Sequence, residues 1–212
     1  MLGNRDVSPS AFVLRLERNG LDFRPGQWIN LGGRGSLERR EYTIYSSPSE
    51  DFLEVLVKEV EGGTVSRDLR LRREGDLLAV DGPHGSFCIA PQARGGKFLF
   101  IGTGTGVSPF HCLTLSYPDL DYVLLHGART REGLYDHEAF DPRRLTACLT
   151  RGEAEPGISV FPGRVTVWLR EHPVEPDRYC YLCGNSDMIY ECYAILRGYS
   201  VPASRIFAEV YF

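Results

Sequence analysis

No apolar run in this 212-residue sequence approaches the roughly 20 residues that a bilayer span takes, so a membrane-spanning helix is not expected. The opening residues carry Arg5, Asp6, Arg15, Glu17 and Arg18 around no central apolar stretch, which argues against a secretory signal. There is no internal repeat and no low-complexity tract. Positive charge is not in excess: 24 Lys+Arg stand against 28 Asp+Glu, a net charge of −4, and generic nucleic-acid binding is therefore not expected. Cysteine is too sparse for a disulfide scaffold, with six in a chain of this length, namely Cys88, Cys112, Cys148, Cys180, Cys183 and Cys192. They sit in apolar or strand-like contexts and read as buried thiols of a cytoplasmic protein. Cys180-Tyr-Leu-Cys183 spells C-x-x-C, but no second ligand pair stands at zinc spacing. On a strand, an offset of three puts the two side chains on opposite faces.

What is present is ordinary globular composition, 42% hydrophobic and 25% charged, in a chain long enough for one large domain or two small ones. The first part reads as β. Ala11–Glu17 alternates, with Phe12, Leu14 and Leu16 on one face. Gln27–Leu31, Arg40–Tyr45, Phe52–Val60 and Leu77–Val80 follow as short strands between Gly- and Pro-rich turns. Such spacing predicts a small antiparallel barrel or sandwich. Within it, only Thr64–Arg73 has helical periodicity. The grammar changes at Pro91-Gln-Ala-Arg-Gly-Gly96. Beyond it, the apolar runs Phe98–Ile101, Tyr122–Leu125, Leu145–Leu149, Tyr179–Cys183 and Ile206–Val210 alternate with helical stretches at Val107–Leu115, Tyr135–Phe140, Arg164–Glu171 and Asp187–Arg197. That alternation predicts a doubly wound α/β domain with a parallel sheet. The expected division is an antiparallel β-barrel domain over 1–92 and an α/β domain over 97–212.

The chemistry concentrates at a few places. Gly102-Thr-Gly104-Thr105-Gly106-Val-Ser-Pro109 lies between a strand and a helix. Its glycines let the backbone turn sharply and approach a ligand, and the helix start presents N–H groups to a phosphate. The pattern is G-x-G-x-G rather than the strict dinucleotide fingerprint G-x-G-x-x-G. At the end of the next strand, where a domain tuned for NAD places an acid, this chain has Ala128-Arg129. Thr150-Arg151 ends the third strand and Arg164 opens the next helix. Strand ends on one edge of a parallel sheet converge, so these guanidiniums suit a 2′-phosphate and favour NADP over NAD. In the first part, Arg40-Glu-Tyr42-Thr43 and Gly63-Thr64-Val65-Ser66 place an arginine, an aromatic, hydroxyls and a helix start within one domain, a weak pattern on spacing alone.

Taken in order along the chain, these segments resemble the ferredoxin–NADP(+) reductase family, specifically its short bacterial ferredoxin/flavodoxin reductase type. Arg40-x-Tyr42-Thr43 is similar to the family's flavin motif. Gly63–Ser66, with Gly75-Asp76 downstream, resembles its pyrophosphate segment, and Asp81-Gly-Pro-His-Gly-Ser-Phe87 the loop closing its flavin domain. Gly102–Pro109 resembles the nicotinamide-nucleotide loop. Cys183-Gly184-Asn185-Ser-Asp187-Met188 resembles the family's Cys-Gly-x-x-x-Met motif, and Glu209-Val-Tyr211-Phe212 its acid-then-aromatic end.

The resemblance implies FAD in the barrel and NADP(H) in the α/β domain. It implies Arg40 and Thr64–Ser66 at the FAD pyrophosphate, backbone contacts from Leu56, Val57 and Lys58, and the flavin ring between Tyr42 and Tyr211, with Tyr211 as a gate for nicotinamide. Phe212 would lie near the adenine. Thr43, Cys183 and Glu209 would line the point of hydride transfer, and Gly184, Asn185, Asp187 and Met188 of the same motif as Cys183 would be cofactor-binding. The implied activity moves electrons between NADPH and a ferredoxin or flavodoxin, by an expected monomer. The alternatives are an NAD(P)H flavin reductase, the reductase component of an oxygenase, and, from another class, a non-catalytic flavin- or nucleotide-binding regulatory module. Arg67, Arg70, Arg72 and Arg73 form a candidate basic patch for an acidic partner, or else a solvated helix face. In the family the first barrel strand begins further upstream. Here only Met1–Ser10 precedes Phe12, so that strand is short, missing or supplied differently.

Overall fold

The computed structural model describes residues 1–151 and 157–211. The chain divides into two compact units, Met1–Ile89 with Ser108–Tyr117, and Ala90–Val107 with Pro118–Phe212.

The first unit contains six strands: β1 (Gly3–Ser8), β2 (Ala11–Glu17), β3 (Trp28–Gly33), β4 (Arg40–Thr43), β5 (Phe52–Lys58) and β6 (Leu78–His84). They form two antiparallel three-stranded sheets, ordered β1-β2-β5 and β4-β3-β6, which an isolated Ile44–Val55 bridge joins. The short first strand is therefore present, paired with β2 from Gly3 opposite Arg15 to Ser8 opposite Ala11. Helix α1 (Thr64–Leu71) buries Val65 and Leu69 in the same core as Phe12, Leu14, Ile29, Leu31, Val55 and Val57. Helix α2 (Ser108–Ser116) also belongs to this unit, although it follows the glycine loop of the second. His111 explains the attachment. Its ring stacks on Tyr45 at 3.7 Å between centroids, and its Nδ1 lies 2.9 Å from the Tyr45 carbonyl. One residue on, the Cys112 thiol donates to the Ser46 carbonyl at 3.0 Å.

The second unit holds β7 (Lys97–Thr103), β8 (Asp121–Ala128), β9 (Leu145–Leu149), β10 (Ser159–Pro162), helix α3 (Val165–Glu171), β11 (Tyr179–Gly184), helix α4 (Ser186–Gly198) and β12 (Ile206–Val210). All neighbouring strands are parallel, in the order β10-β9-β8-β7-β11-β12. The chain thus starts at β7, moves outward to β10, and returns to the other side of β7. An apolar core of Leu99, Ile101, Leu125, Leu182, Val165, Leu169, Ile189 and Leu196 joins the sheet to α3 and α4. The alternate side chains are aromatic: Tyr181 meets Phe98, Phe100 and Phe207, the last stacked at 4.6 Å. No described helix is long and apolar enough to cross a membrane.

Two elements differ from expectation. Tyr135–Phe140 forms no α-helix, only a short 3₁₀ turn at His137–Ala139, because Asp136 adopts a left-handed φ of 45° that interrupts helical continuation. Strand β10 was not anticipated: it is a four-residue edge strand ending in proline, and edge positions tolerate the missing N–H.

All six cysteines are free thiols, and Cys88 alone among them is not buried. Burial pushes the thiols of Cys148, Cys180 and Cys192 up to about 12. In the unfolded chain such thiols lose protons near the ordinary value of about 8.5, so above it the unfolded state binds fewer protons than the folded one and stability falls as pH rises. The urea midpoint is therefore expected to drop between pH 8 and pH 10.5. The drop should be shallower in a Cys148→Ala, Cys180→Ala, Cys192→Ala variant; equal slopes would contradict the assignment.

Candidate functional site

The second unit's site grows from its strand order. In an open parallel sheet, ligands bind beyond the carboxyl ends of the strands where the chain reverses its direction of growth. Here that point lies between β7 and β11, where Gly102 stands opposite Cys183. The next strand places Glu209 opposite Cys183 and Val210 opposite Gly184. One residue on, the Tyr211 N–H donates to the Gly184 carbonyl at 2.9 Å.

Close backbone approach locks these pieces together. A Cβ on Gly106 would collide with the Cys183 carbonyl and reach 2.8 Å from the Gly184 Cα. Gly184 has φ +128°, and a Cβ there would collide with the Thr103 hydroxyl. That hydroxyl accepts from the Asn185 N–H at 3.2 Å, while the Asn185 side chain caps α4 by accepting from the Met188 N–H at 3.2 Å. Gly104 is the opposite case: φ is +55°, but nothing lies within 4 Å of a Cβ there, so the loop is open on that side. Gly104–Val107 forms a 3₁₀ turn that leads directly into α2.

Cys183 is fully buried. Burial pushes its thiol well above the usual range, the Glu209 carboxylate acts in the same direction, and a hydrogen bond from the Tyr211 side chain opposes them. The sulfur is thus a neutral thiol that hydrogen-bonds the Tyr211 side chain, with Glu209 opposite it on the next strand. Around the rim, the Arg151 N–H donates to the Arg129 carbonyl at 2.7 Å, and the Thr150 N–H to the Ala128 carbonyl at 3.2 Å. Adjacent strand ends therefore carry the two arginines side by side. Arg164 is the residue preceding α3, and all three arginine side chains are exposed. Asp187 is exposed in the first turn of α4, whereas Met188 is buried in the core, its sulfur 3.7 Å from that of Cys192.

His126, on β8, was not singled out from sequence. It is fully buried, and its Nε2 lies 3.0 Å from the Gly104 carbonyl. Burial lowers its pKa to about 4, so the ring is neutral at physiological pH. A carbonyl only accepts, so Nε2 carries the proton. A histidine inside the apolar run Leu124-Leu-His-Gly was the available signal.

In the first unit, Arg40, Tyr42 and Thr43 lie on β4, opposite Leu31, Ile29 and Trp28 of β3. Thr43 is buried; Tyr42 packs against the core, and burial pushes its phenol up to about 12 against a weaker pull from Arg40. Arg40 is exposed, with Nη1 donating to the Arg39 carbonyl at 2.9 Å. Leu56 and Val57 are buried at the end of β5, and Lys58 is exposed. Helix α1 has Gly63 at its N-cap, no side-chain cap and no acid in its first turn. Thr64 instead donates to the carboxylate of Glu38, while Ser66 Oγ accepts from the Val60 N–H at 3.2 Å. Three arginines of the candidate basic patch have acid partners: Arg67 with Glu59, Arg70 with Asp6 and Arg72 with Asp68. That pairing fits a charge-balanced helix face better than a steering patch.

Residues 3–89 match the family described as oxidoreductase FAD-binding domain. Over 222 residues the chain is 28% identical to the reductase component of propane 2-monooxygenase from Gordonia, covering 96% of this chain and 64% of that protein. It is 26% identical over 219 residues to the toluate 1,2-dioxygenase electron transfer component of Pseudomonas putida, covering 97% and 64%. The chain therefore spans less than two thirds of the length of these curated relatives. A solved Amycolatopsis cytochrome P450 reductase superposes with TM-score 0.84 at 26% identity, over 99% of this chain and 67% of that one. A ferredoxin NADP+ reductase from Neisseria gonorrhoeae with bound FAD and NADP gives TM-score 0.85 at 21% identity, over 100% and 96%.

The chain has the fold of ferredoxin–NADP(+) reductase-type proteins, with an oxidoreductase FAD-binding domain over residues 3–89. Its first unit fits the flavin such reductases hold: the α1 N-terminus has neither a side-chain cap nor an acid in its first turn, which suits it to a phosphate. Its second unit fits a dinucleotide, with the open side of Gly104 admitting a ligand to the backbone. Phe212 lies outside the described residues.

The two kinds of glycine predict different losses. Gly184→Ala meets both strain and a collision and is expected to destabilise the fold by about 2 kcal/mol or more. Gly104→Ala meets strain alone, on the order of 1 kcal/mol. Thermal unfolding of both variants checks the order; equal midpoints would contradict the packing described.

Proposed function

We propose that this chain is an NADPH-dependent flavoenzyme that passes electrons to a small ferredoxin or flavodoxin. The observation that carries the reading is the convergence of the glycine loop, buried Cys183, Glu209 and Tyr211 at the reversal point of the parallel sheet.

When bound, FAD supplies the exchange between a hydride pair and single electrons. The protein's part is to bind, orient and exclude water. In the first unit, the α1 N-terminus at Thr64–Ser66 and the guanidinium of Arg40 hold the pyrophosphate. Leu56, Val57 and Lys58 offer backbone groups, Tyr42 offers an aromatic face, and the Thr43 hydroxyl hydrogen-bonds the ring edge. In the second unit, the Gly102–Gly106 backbone approaches the dinucleotide phosphates, and Arg129, Arg151 and Arg164 bind the 2′-phosphate. Tyr211 covers the nicotinamide position until substrate displaces it. Cys183 stays a neutral thiol there, so no thiolate competes for the nicotinamide. Glu209 supplies a carboxylate beside it that orients the carboxamide or holds a proton.

A second reading differs only in the acceptor. The curated relatives named above are a monooxygenase reductase component and a dioxygenase electron transfer component, which favours delivery to an oxygenase or to its ferredoxin. Measuring which purified acceptor speeds reoxidation of the reduced flavin separates the two.

Cofactor preference tests the arginine assignment. Arg129→Ala and Arg151→Ala are each expected to raise KM for NADPH about tenfold or more while leaving NADH nearly unchanged, as fits loss of a charge-assisted bond. An unchanged NADPH/NADH preference would remove the 2′-phosphate role.

A further inference from the structure

Of the second unit's buried polar groups, His126 has no part in the functional reading so far. Yet it is fully buried, contributed by the strand beside β7, and bonded to the loop on which that reading depends. Its Nδ1 is buried with no hydrogen-bond partner among the described residues, so the ring's one polar contact there is made through Nε2. An imidazole placed in an apolar interior for packing alone would lose solvation at both nitrogens for nothing in return.

The Gly104 carbonyl that it holds belongs to the peptide joining Gly104 to Thr105. The only cis peptide bond of the described chain is Gly82–Pro83, so the Gly104–Thr105 peptide is trans. In a trans peptide the C=O and N–H point in opposite directions across a rigid plane. Whatever fixes the carbonyl therefore fixes the following N–H. Gly104 itself, at φ +55° with open space around it, supplies no steric restraint on that plane beyond its own torsion.

We propose that His126 is a positioning residue for dinucleotide binding: by donating from Nε2 to the Gly104 carbonyl, it turns the Thr105 N–H away from the strand interior and toward a bound phosphate. The inference rests on the nucleotide site proposed above and assigns that site its support from beneath. Neutrality is part of the arrangement, because burial disfavours a charged imidazolium under the loop.

The test compares FAD-loaded wild type with three variants. His126→Leu removes the donor at similar size. His126→Gln keeps an N–H donor at about the reach of Nε2. His126→Asn keeps the donor but is one methylene too short. Three quantities are read: flavin content, dissociation constant for NADPH by calorimetry, and hydrogen–deuterium exchange of Gly102–Val107 without nucleotide. Flavin content should stay unchanged throughout. In His126→Leu and His126→Asn, NADPH binding is expected to weaken about tenfold and exchange to quicken, while His126→Gln stays within about threefold of wild type. If His126→Leu fails to fold, the Gln–Asn pair carries the comparison.

Wild-type affinity in His126→Leu or His126→Asn would overturn the proposal. So would a folded His126→Gln as weak as His126→Asn, since ring shape rather than the donor would then matter. If wild type itself binds neither NADPH nor NADH, the nucleotide reading falls, and the phosphate role of His126 with it. Exchange at Gly102–Val107 would still tell whether His126 holds the loop.

Discussion

Everything at the second unit's ligand edge depends on backbone meeting backbone where β7 and β11 end. Gly106 sits against the Cys183 carbonyl and Gly184 against Thr103, so neither position has room for a side chain. That contact brings the glycine loop to Cys183. Strand register then adds Glu209 and, one step further, Tyr211. The Asn185 cap uses the same contact, with its N–H on Thr103 and its side chain on the α4 N-terminus. The glycine loop is thus fixed by glycine packing on one flank and bonded to a buried histidine on another.

The charges are arranged in a way that suits hydride chemistry. Burial keeps the Cys183 thiol and the His126 imidazole uncharged in the second unit and, separately, the Tyr42 phenol in the first. Positive charge lies on exposed residues, Arg129, Arg151 and Arg164. A hydride moves best in a dry, preorganised environment, whereas a phosphate wants forked guanidinium donors at a solvent edge. Placing neutral groups inside and arginines outside serves both.

Much of this was legible in the sequence because it rests on local patterns. The alternation of Phe12, Leu14 and Leu16 marks β2, and the apolar runs from Phe98 to Val210 mark the parallel sheet. The glycines of Gly102–Gly106 stand where a strand must turn into a helix. What stayed hidden depends on tertiary partners. Ser159–Pro162 pairs only because β9 offers an edge, and nothing in its composition announces a strand. Helix α2 groups with the first unit through His111 on Tyr45, a contact between residues 66 apart. Met188 belongs to a motif that suggests ligand contact, yet its place on α4 turns it into the core. His126 looks like one more core position until its distance to Gly104 is known.

The most direct test of the central claim is an anaerobic titration of the purified protein, after incubation with FAD and removal of the excess, with NADPH while flavin absorbance is followed. The account predicts a yellow protein whose flavin band bleaches at near-stoichiometric NADPH. A protein that stays colourless after FAD, or a yellow one that NADPH and NADH both leave unbleached, would contradict it.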